Sequence, residues 1–122
     1  MPTKKSLIVY PKRGSIYIAN LDPALGREMR KKRPILVISE NTLNQALFTI
    51  VVIPFSSLIP AFVGLDLVVF KKQTGLDKKS VLIVNQLRAI DKSRLVSKAG
   101  LISSAKMQEV EAAIRAVLGL VN

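Results

Sequence analysis

The chain has 122 residues, which is the length of one ordinary domain, and its 49% apolar and 22% charged residues exclude a disordered or low-complexity class. We therefore expect residues 1–122 to form a single domain. The absence of cysteine and histidine excludes disulfides, thiolate or imidazole metal sites, and every catalytic arrangement that needs either residue. We expect no metal and no cofactor.

The charge of the chain points to a polyanionic partner. Nineteen Lys and Arg against eight Asp and Glu give a net charge of +11. Nucleic acid is the partner that this balance favours. An anionic membrane is the alternative, but it would require basic residues along one face of an amphipathic helix. The one helix with a clear apolar stripe carries only Lys106 and Arg115.

The first predicted element is a strand at residues 15–21, where apolar residues alternate until the Asp22-Pro23 turn signal. A charged loop follows at residues 24–33. Five basic residues fall within seven positions of this loop: Arg27, Arg30, Lys31, Lys32 and Arg33.

Two strands buried on both faces are predicted next. Residues 34–39 form an unbroken apolar run, with Pro34 tolerated at the first position of a strand. Residues 40–47 are compatible with a helical turn or a loop. Residues 48–57 then form the second apolar strand.

The uncharged stretch at residues 41–65 is long enough to suggest a membrane span. Pro54 and Pro60 interrupt it, however, and many of its residues are β-branched or aromatic, so two strands joined by an apolar loop explain it better. The apolar run at residues 7–10 is too short for a secretion signal. We expect a cytoplasmic protein that does not associate with membranes.

Two further strands are predicted at residues 64–70 and 80–87, with residues 88–91 continuing the sheet. A C-terminal helix begins after Ser103 or Ser104 and ends near Gly119. Its apolar stripe consists of Met107, Val110, Ile114, Val117 and Leu118. The predicted fold is α+β dominated by β, a small curved antiparallel sheet or barrel with a C-terminal helix.

Antiparallel pairing of the strands at 34–39 and 48–57 has a consequence for chemistry. A connection centred near Asn44 and Gln45 places Arg33 opposite Ser56, with Cβ atoms about 4.5–5.5 Å apart. Arg33 is also held extended, because it precedes Pro34. A guanidinium and a hydroxyl would then share one end of the sheet.

Other polar residues could join this site. Gln86 and Arg88 are two positions apart on a predicted strand, so they should face the same side and could bind RNA bases or phosphates. Structural roles remain open for the others: Ser56 could cap a turn, Glu28 could be solvated in its loop, and Arg33 could pair with Asp22.

Four segments together resemble the toxin component of the MazF/PemK type of toxin-antitoxin module. They are RGSIYIANLDPALGRE, KRPILVIS, IVVIPFSS and GLDKKSVLIVNQLRAIDKSRL, and the resemblance spans about residues 13–120. It implies an SH3-like barrel with a C-terminal helix and a homodimer. It also implies metal-independent, sequence-specific cleavage of single-stranded RNA, by which the toxin arrests translation and growth.

The resemblance extends to single positions. The family's catalytic arginine falls on Arg33, its catalytic threonine on Ser56, its loop glutamate on Glu28 and its glutamine on Gln86. Met29 stands where a glutamine is usual.

The chemistry agrees with these residue types. RNA carries its own nucleophile, the 2′-hydroxyl, so an enzyme need only move protons and stabilise charge on the phosphorus. Arg33 suits the phosphate role, Ser56 could orient the phosphate, and Glu28 could accept a proton. A 2′,3′-cyclic phosphate and a 5′-hydroxyl would be the products.

The partners follow from charge and resemblance. The RNA backbone would lie along basic and polar residues, namely Arg27, Arg30, Lys31, Lys32, Lys71, Lys72, Gln86 and Arg88, with help from Lys78 and Lys79. An acidic cognate antitoxin would neutralise the toxin. The apolar loop at residues 57–65 adds support for a homodimer.

Two functions from other classes remain open. One is a non-catalytic toxin of the same fold that acts on a protein such as DNA gyrase. Such toxins act through a C-terminal tryptophan segment, and this chain has no tryptophan. The other is a plain RNA-binding barrel.

Overall fold

The computed structural model describes residues 10–120, and the apolar run at residues 7–9 lies outside them. Within that range the chain forms seven strands and two α-helices. They are β1 (Ser15–Asn20), β2 (Lys32–Val37), α1 (Asn41–Ala46), β3 (Thr49–Ser56), β4 (Leu67–Phe70), β5 (Ser80–Ile83), β6 (Arg88–Asp91), β7 (Leu95–Leu101) and α2 (Ser104–Leu118). Short 3-10 turns at Val84–Gln86 and Lys92–Arg94 flank β6.

The strands form one curved antiparallel sheet in the order β4-β5-β3-β2-β1-β7, with β6 also paired to β3. The predicted β-dominated fold with a C-terminal helix is therefore confirmed. Strand pairing does not close the sheet between β4 and β7 in the described residues. The turn after β4 spans this gap instead, because Gln73 Nε2 donates to Leu101 O of β7 at 3.4 Å.

Both faces of β2 and β3 are buried, as their unbroken apolar runs predicted. Leu36 and Ile53 belong to a first cluster that packs under α2, and Ile35 and Val52 belong to a second cluster on the opposite face. Each such side chain contributes about 1.5–3 kcal/mol when fully buried. The centre of the sheet is therefore held from two sides, which fixes the strands that carry Arg33 and Ser56.

Helix α2 has the predicted ends. The Ser103 hydroxyl accepts from Lys106 N at 3.1 Å, and Gly119 ends the helix in the left-handed region at a φ of 70°. Met107 and Val110 are buried as predicted, but Leu118 is 53% exposed. The apolar stripe is therefore only partly covered in the last turn of α2.

The single strand predicted at residues 80–87 is wrong. The chain leaves β5 at Ile83, makes the 3-10 turn, and begins β6 at Arg88. Strand β3 pairs with β6 through Val52 and with β5 from Phe55 onward. Pro54 lies between these two ladders and has no N–H to offer a neighbour, so the change of partner falls where a ladder bond is already absent.

Other elements also differ from the sequence prediction. Strand β2 begins at Lys32, so Pro34 is its third residue. Strand β4 is confined to Leu67–Phe70, and β7 was not predicted because its largely exposed residues lack an apolar pattern. The segment at 40–47 is a short helix capped by Glu40, whose carboxylate accepts from Thr42 N at 2.9 Å.

No helix within residues 10–120 has the length and apolar character needed to cross a membrane.

Candidate active site

A cavity of about 610 Å³ opens beside the ends of β2 and β3 that carry Arg33 and Ser56. Its wall is formed by residues from five parts of the chain: Ile18, Lys32, Arg33, Pro34, Phe55, Ser56, Ser57, Gly75, Leu76, Asp77, Lys78, Ser80 and Ala99. Three cations and one carboxylate are among them. The cavity can therefore attract a phosphate group and surround it with polar atoms.

The register of β2 and β3 is the one predicted from the sequence. Ile35 lies opposite Pro54, and Leu36 lies opposite Ile53. Continued by two residues, this register brings Arg33 level with Ser56. The two side chains share the cavity, as the pairing argument requires.

Two backbone carbonyls hold the Arg33 guanidinium in place. Nε donates to Arg30 O at 2.9 Å, and Nη1 donates to Phe55 O at 3.2 Å. Nη2 has no partner among the described residues, so it is available to a ligand. Pairing of Arg33 with Asp22 is wrong, because the Asp22 carboxylate accepts from Lys31 N at 2.9 Å.

Pro34 explains why the Phe55 carbonyl is available to Arg33. Ile38 N donates to Val51 O at 3.0 Å, and this relation recurs at every second pair along an antiparallel ladder. The Phe55 carbonyl therefore faces position 34, where a proline has no N–H to donate. The guanidinium of Arg33 takes the place of the missing ladder donor.

A strained turn supplies the second carbonyl. Lys31 is in the left-handed region at a φ of 68°, which a residue with a Cβ adopts at some cost. Hydrogen bonds from Leu21 N to Lys31 O and from Lys31 N to Asp22 hold it there. The turn directs the Arg30 carbonyl toward Arg33.

Arg94 braces the base of the same loop. Its Nη1 donates to Asn20 O at 3.1 Å and to Asp22 O at 2.6 Å. The neighbouring Asp91 accepts from Ser93 N at 2.8 Å, and this bond, with help from the Ser93 side chain and the Arg94 charge, lowers the pKa of Asp91. Arg94 therefore holds the backbone at the start of the loop that leads to Arg33.

The Ser56 hydroxyl has two functions available to it. Oγ accepts from Leu58 N at 3.1 Å, so Ser56 does cap the turn after β3, as one of the open alternatives held. Its O–H has no acceptor among residues 10–120, and the side chain is half-buried at the cavity wall. It can donate to a phosphate oxygen without breaking the turn.

Glu28 lies outside the cavity wall. Its Oε1 accepts from Leu25 N at 2.8 Å, so the side chain is bonded to the backbone of its own loop rather than only solvated there. Of the basic loop residues, Lys32 lines the cavity, whereas Arg27, Arg30 and Lys31 are exposed without lining it. The loop thus presents positive charge outside the cavity mouth.

The remaining predicted residues are not brought to the cavity wall. Lys71 and Lys72 are exposed directly after β4. Gln86 and Arg88 do not share a strand face, because Gln86 ends the 3-10 turn and Arg88 begins β6. Gln86 Oε1 accepts from Met29 N at 3.2 Å, and the buried Arg88 Nη1 has no hydrogen-bond partner among the described residues.

Two features were missed by the sequence analysis: the carboxylate of Asp77 in the cavity and the role of Pro34. The position of Asp77 follows from the pairing of β5 with β3, in which Val81 lies opposite Ser56. Because the two strands are antiparallel, the residues just before β5 lie beyond the end of β3, next to Ser56. Residues 10–120 contain no group of three or more side chains suited to hold a metal ion.

Comparison with known families identifies the chain. Residues 12–118 match the model of the PemK-like, MazF-like toxin of type II toxin-antitoxin systems. The chain belongs to this toxin family. The MazF endoribonuclease of Staphylococcus epidermidis is 37% identical to this MazF-like chain over 116 residues, which cover 91% of this chain and 93% of that protein.

Solved structures of MazF toxins share the fold. The crystal structure of MazF from Deinococcus radiodurans matches with a TM-score of 0.82 at 22% identity, covering 93% of this chain and 100% of that one. A mycobacterial endoribonuclease in complex with its cognate antitoxin matches with a TM-score of 0.76 at 20% identity, covering 92% and 98%. The MazF-like toxin described here therefore has the architecture of its family along nearly its whole length.

Proposed function

We propose that this chain, an endoribonuclease toxin by its family, cleaves single-stranded messenger RNA in the cavity beside β2 and β3 without a metal ion. The observation that carries the proposal is that Nη2 of Arg33 and the O–H of Ser56 have no partner within residues 10–120, and that both side chains line the same basic cavity. A scissile phosphate between them would receive donors from two directions. Attack by the 2′-hydroxyl would leave a 2′,3′-cyclic phosphate and a 5′-hydroxyl.

Arg33 is the group that stabilises the transition state in this proposal. Its two backbone contacts fix the plane of the guanidinium before substrate arrives, so little reorganisation is needed when negative charge develops on the phosphorane oxygens. Arginine suits this role because its planar fork of N–H donors matches the geometry of a phosphate. Ser56 supplies a second, neutral donor.

Two parts of the sequence hypothesis remain predictions. Glu28 as proton acceptor would need its free carboxylate oxygen to reach the substrate from the loop. The basic and polar residues outside the cavity, namely Arg27, Arg30, Lys31, Lys71, Lys72, Gln86 and Arg88, would bind the RNA strand on either side of the cut. The exposure of Arg27, Arg30, Lys31, Lys71 and Lys72 supports this, and binding should weaken steeply with salt.

Substitution of Arg33 tests the enzyme assignment. We expect Arg33→Ala to fold but to lose cleavage of a long single-stranded RNA in EDTA by about 10²-fold or more. Arg115→Ala, on the exposed side of α2, is the matched control and should cleave normally. RNA retained but uncut by the native protein would favour a plain RNA-binding barrel. If the native protein neither binds nor cuts RNA, the result would favour a toxin with a protein target.

We also propose that the toxin is a homodimer with an acidic cognate antitoxin. The loop at residues 57–65 supports the dimer, since Leu58, Phe62 and Leu65 are each more than 80% exposed. Light scattering should give twice the chain mass, and Phe62→Glu should shift it toward the monomer. The charge of +11 supports an acidic partner. An acidic protein encoded beside the toxin should bind it and block cleavage.

A further inference from the structure

The cavity contains one carboxylate, and it belongs to Asp77. This residue lies between Leu76 and Lys78 on the loop that leads into β5. Asp77 is exposed and lines the same wall as Arg33 and Ser56. A negative charge in a cavity that attracts phosphate opposes substrate binding, so its presence there needs a chemical reason.

The backbone turn just before Asp77 is held in place. Gln73 and Leu76 close a turn through two backbone hydrogen bonds, from Leu76 N to Gln73 O at 2.8 Å and from Gln73 N to Leu76 O at 3.2 Å. A Cβ built on Gly100 of β7 would lie 2.1 Å from Thr74 O, which shows how closely the turn packs against that strand. Only a glycine at position 100 permits this approach. The loop therefore presents Asp77 from a rigid support.

We infer that Asp77 is the proton acceptor of the cleavage reaction, an assignment that rests on the proposed function. The Asp77 carboxylate takes the proton of the 2′-hydroxyl while the 2′-oxygen forms its bond to phosphorus. The bond from phosphorus to the 5′-oxygen then breaks, and that oxygen takes a proton from solvent at the cavity mouth. Asp77 returns its proton to solvent, and no oxidant, reductant or metal takes part.

Geometry favours Asp77 over Glu28 for this role. Glu28 uses Oε1 to hold Leu25 N and does not line the cavity. The Asp77 carboxylate makes no hydrogen bond or ion pair within residues 10–120, so no partner in that range competes with a substrate proton. The other charged residues of the cavity wall are Lys32, Arg33 and Lys78.

Matched amide substitutions separate the two carboxylates. Single-turnover cleavage of one RNA is measured against pH for the native protein, Asp77→Asn and Glu28→Gln. We expect Asp77→Asn to lower the rate by roughly 10²- to 10⁴-fold and to remove the rise of rate with pH on the acid side. Its RNA affinity should be unchanged or higher, because a like charge is lost. Glu109→Gln, at an exposed carboxylate of α2, is the matched control and should keep both the native rate and that rise. Loss of the rise in Glu28→Gln would instead favour Glu28 as the proton acceptor.

Chemical rescue gives a second readout that a structural role would not produce. Formate added to Asp77→Ala should restore part of the cleavage, whereas formate added to Arg33→Ala should not. A native rate in Asp77→Asn, or loss of the acid limb in Glu28→Gln alone, would overturn the assignment. If the native protein itself does not cut RNA, the proposed function fails, which is a different outcome from a cleaving Asp77→Asn variant.

Discussion

Replacing Pro34 by alanine should damage the active site without damaging the fold. Alanine restores a backbone N–H at the position that faces the Phe55 carbonyl. That N–H would complete the ladder between β2 and β3, and it would compete with Arg33 Nη1, which now donates to Phe55 O at 3.2 Å. We expect the guanidinium to lose this anchor and to rotate about its remaining contact with Arg30 O.

Two effects of Pro34→Ala on the free energy of unfolding oppose each other. A new ladder bond contributes about 0.5–1.5 kcal/mol net, and the loss of proline's restriction on the unfolded chain removes about 0.4–1 kcal/mol. The free energy of unfolding should therefore change by less than about 1 kcal/mol. Loss of a hydrogen bond made by a charged group costs about 1.5–3 kcal/mol, which corresponds to roughly 10- to 150-fold in rate if it is felt only in the transition state.

The assay pairs urea unfolding with single-turnover cleavage of a fluorogenic RNA. Pro60→Ala is the matched control, because Pro60 is an exposed loop proline and its replacement changes chain entropy but no ladder. A chain with N-methylalanine at position 34 also lacks the N–H and should keep most of the activity. Full activity in Pro34→Ala, or an activity loss matched by an equal loss of stability, would refute the reasoning.

Three further outcomes are expected. Gly100→Ala should lower the melting temperature and the cleavage rate together, because its Cβ would lie 2.1 Å from Thr74 O and must displace the loop that carries Asp77. The free energy of unfolding should fall as the pH drops below the usual pKa range of an aspartate, because the pKa of Asp91 is lowered in the folded state and the unfolded carboxyl therefore binds a proton first. Asp91→Asn should flatten this dependence in acid denaturation curves. Arg33→Lys should bind RNA nearly as well as the native protein but cleave about 10²-fold more slowly or worse, since an ammonium cannot hold both carbonyls and a phosphate.

The sequence was sufficient to predict the strands whose burial pattern is strong. The apolar runs of β2 and β3 predicted burial on both faces, and their short connection predicted the register that brings Arg33 level with Ser56. Gln86 was misplaced because a continuous apolar pattern does not reveal where a strand changes partner. Asp77 was missed for a related reason: its place depends on the pairing of β5 with β3, which joins segments far apart in the chain.

Two parts of the cavity wall depend on residues that lack an ordinary backbone or side-chain atom: Pro34 has no N–H, and Gly100 has no Cβ. Because Pro34 has no N–H, the Phe55 carbonyl of β3 is left without a ladder donor, and the Arg33 guanidinium donates to it instead. Because Gly100 has no Cβ, the turn that precedes Asp77 packs directly on the backbone of β7. Neither Pro34 nor Gly100 has a side-chain group that could act on a substrate, so neither is recognisable as a site residue in the sequence. Their effect is geometric: each makes the approach of two backbone segments possible, and the charged side chains of the cavity are held between them.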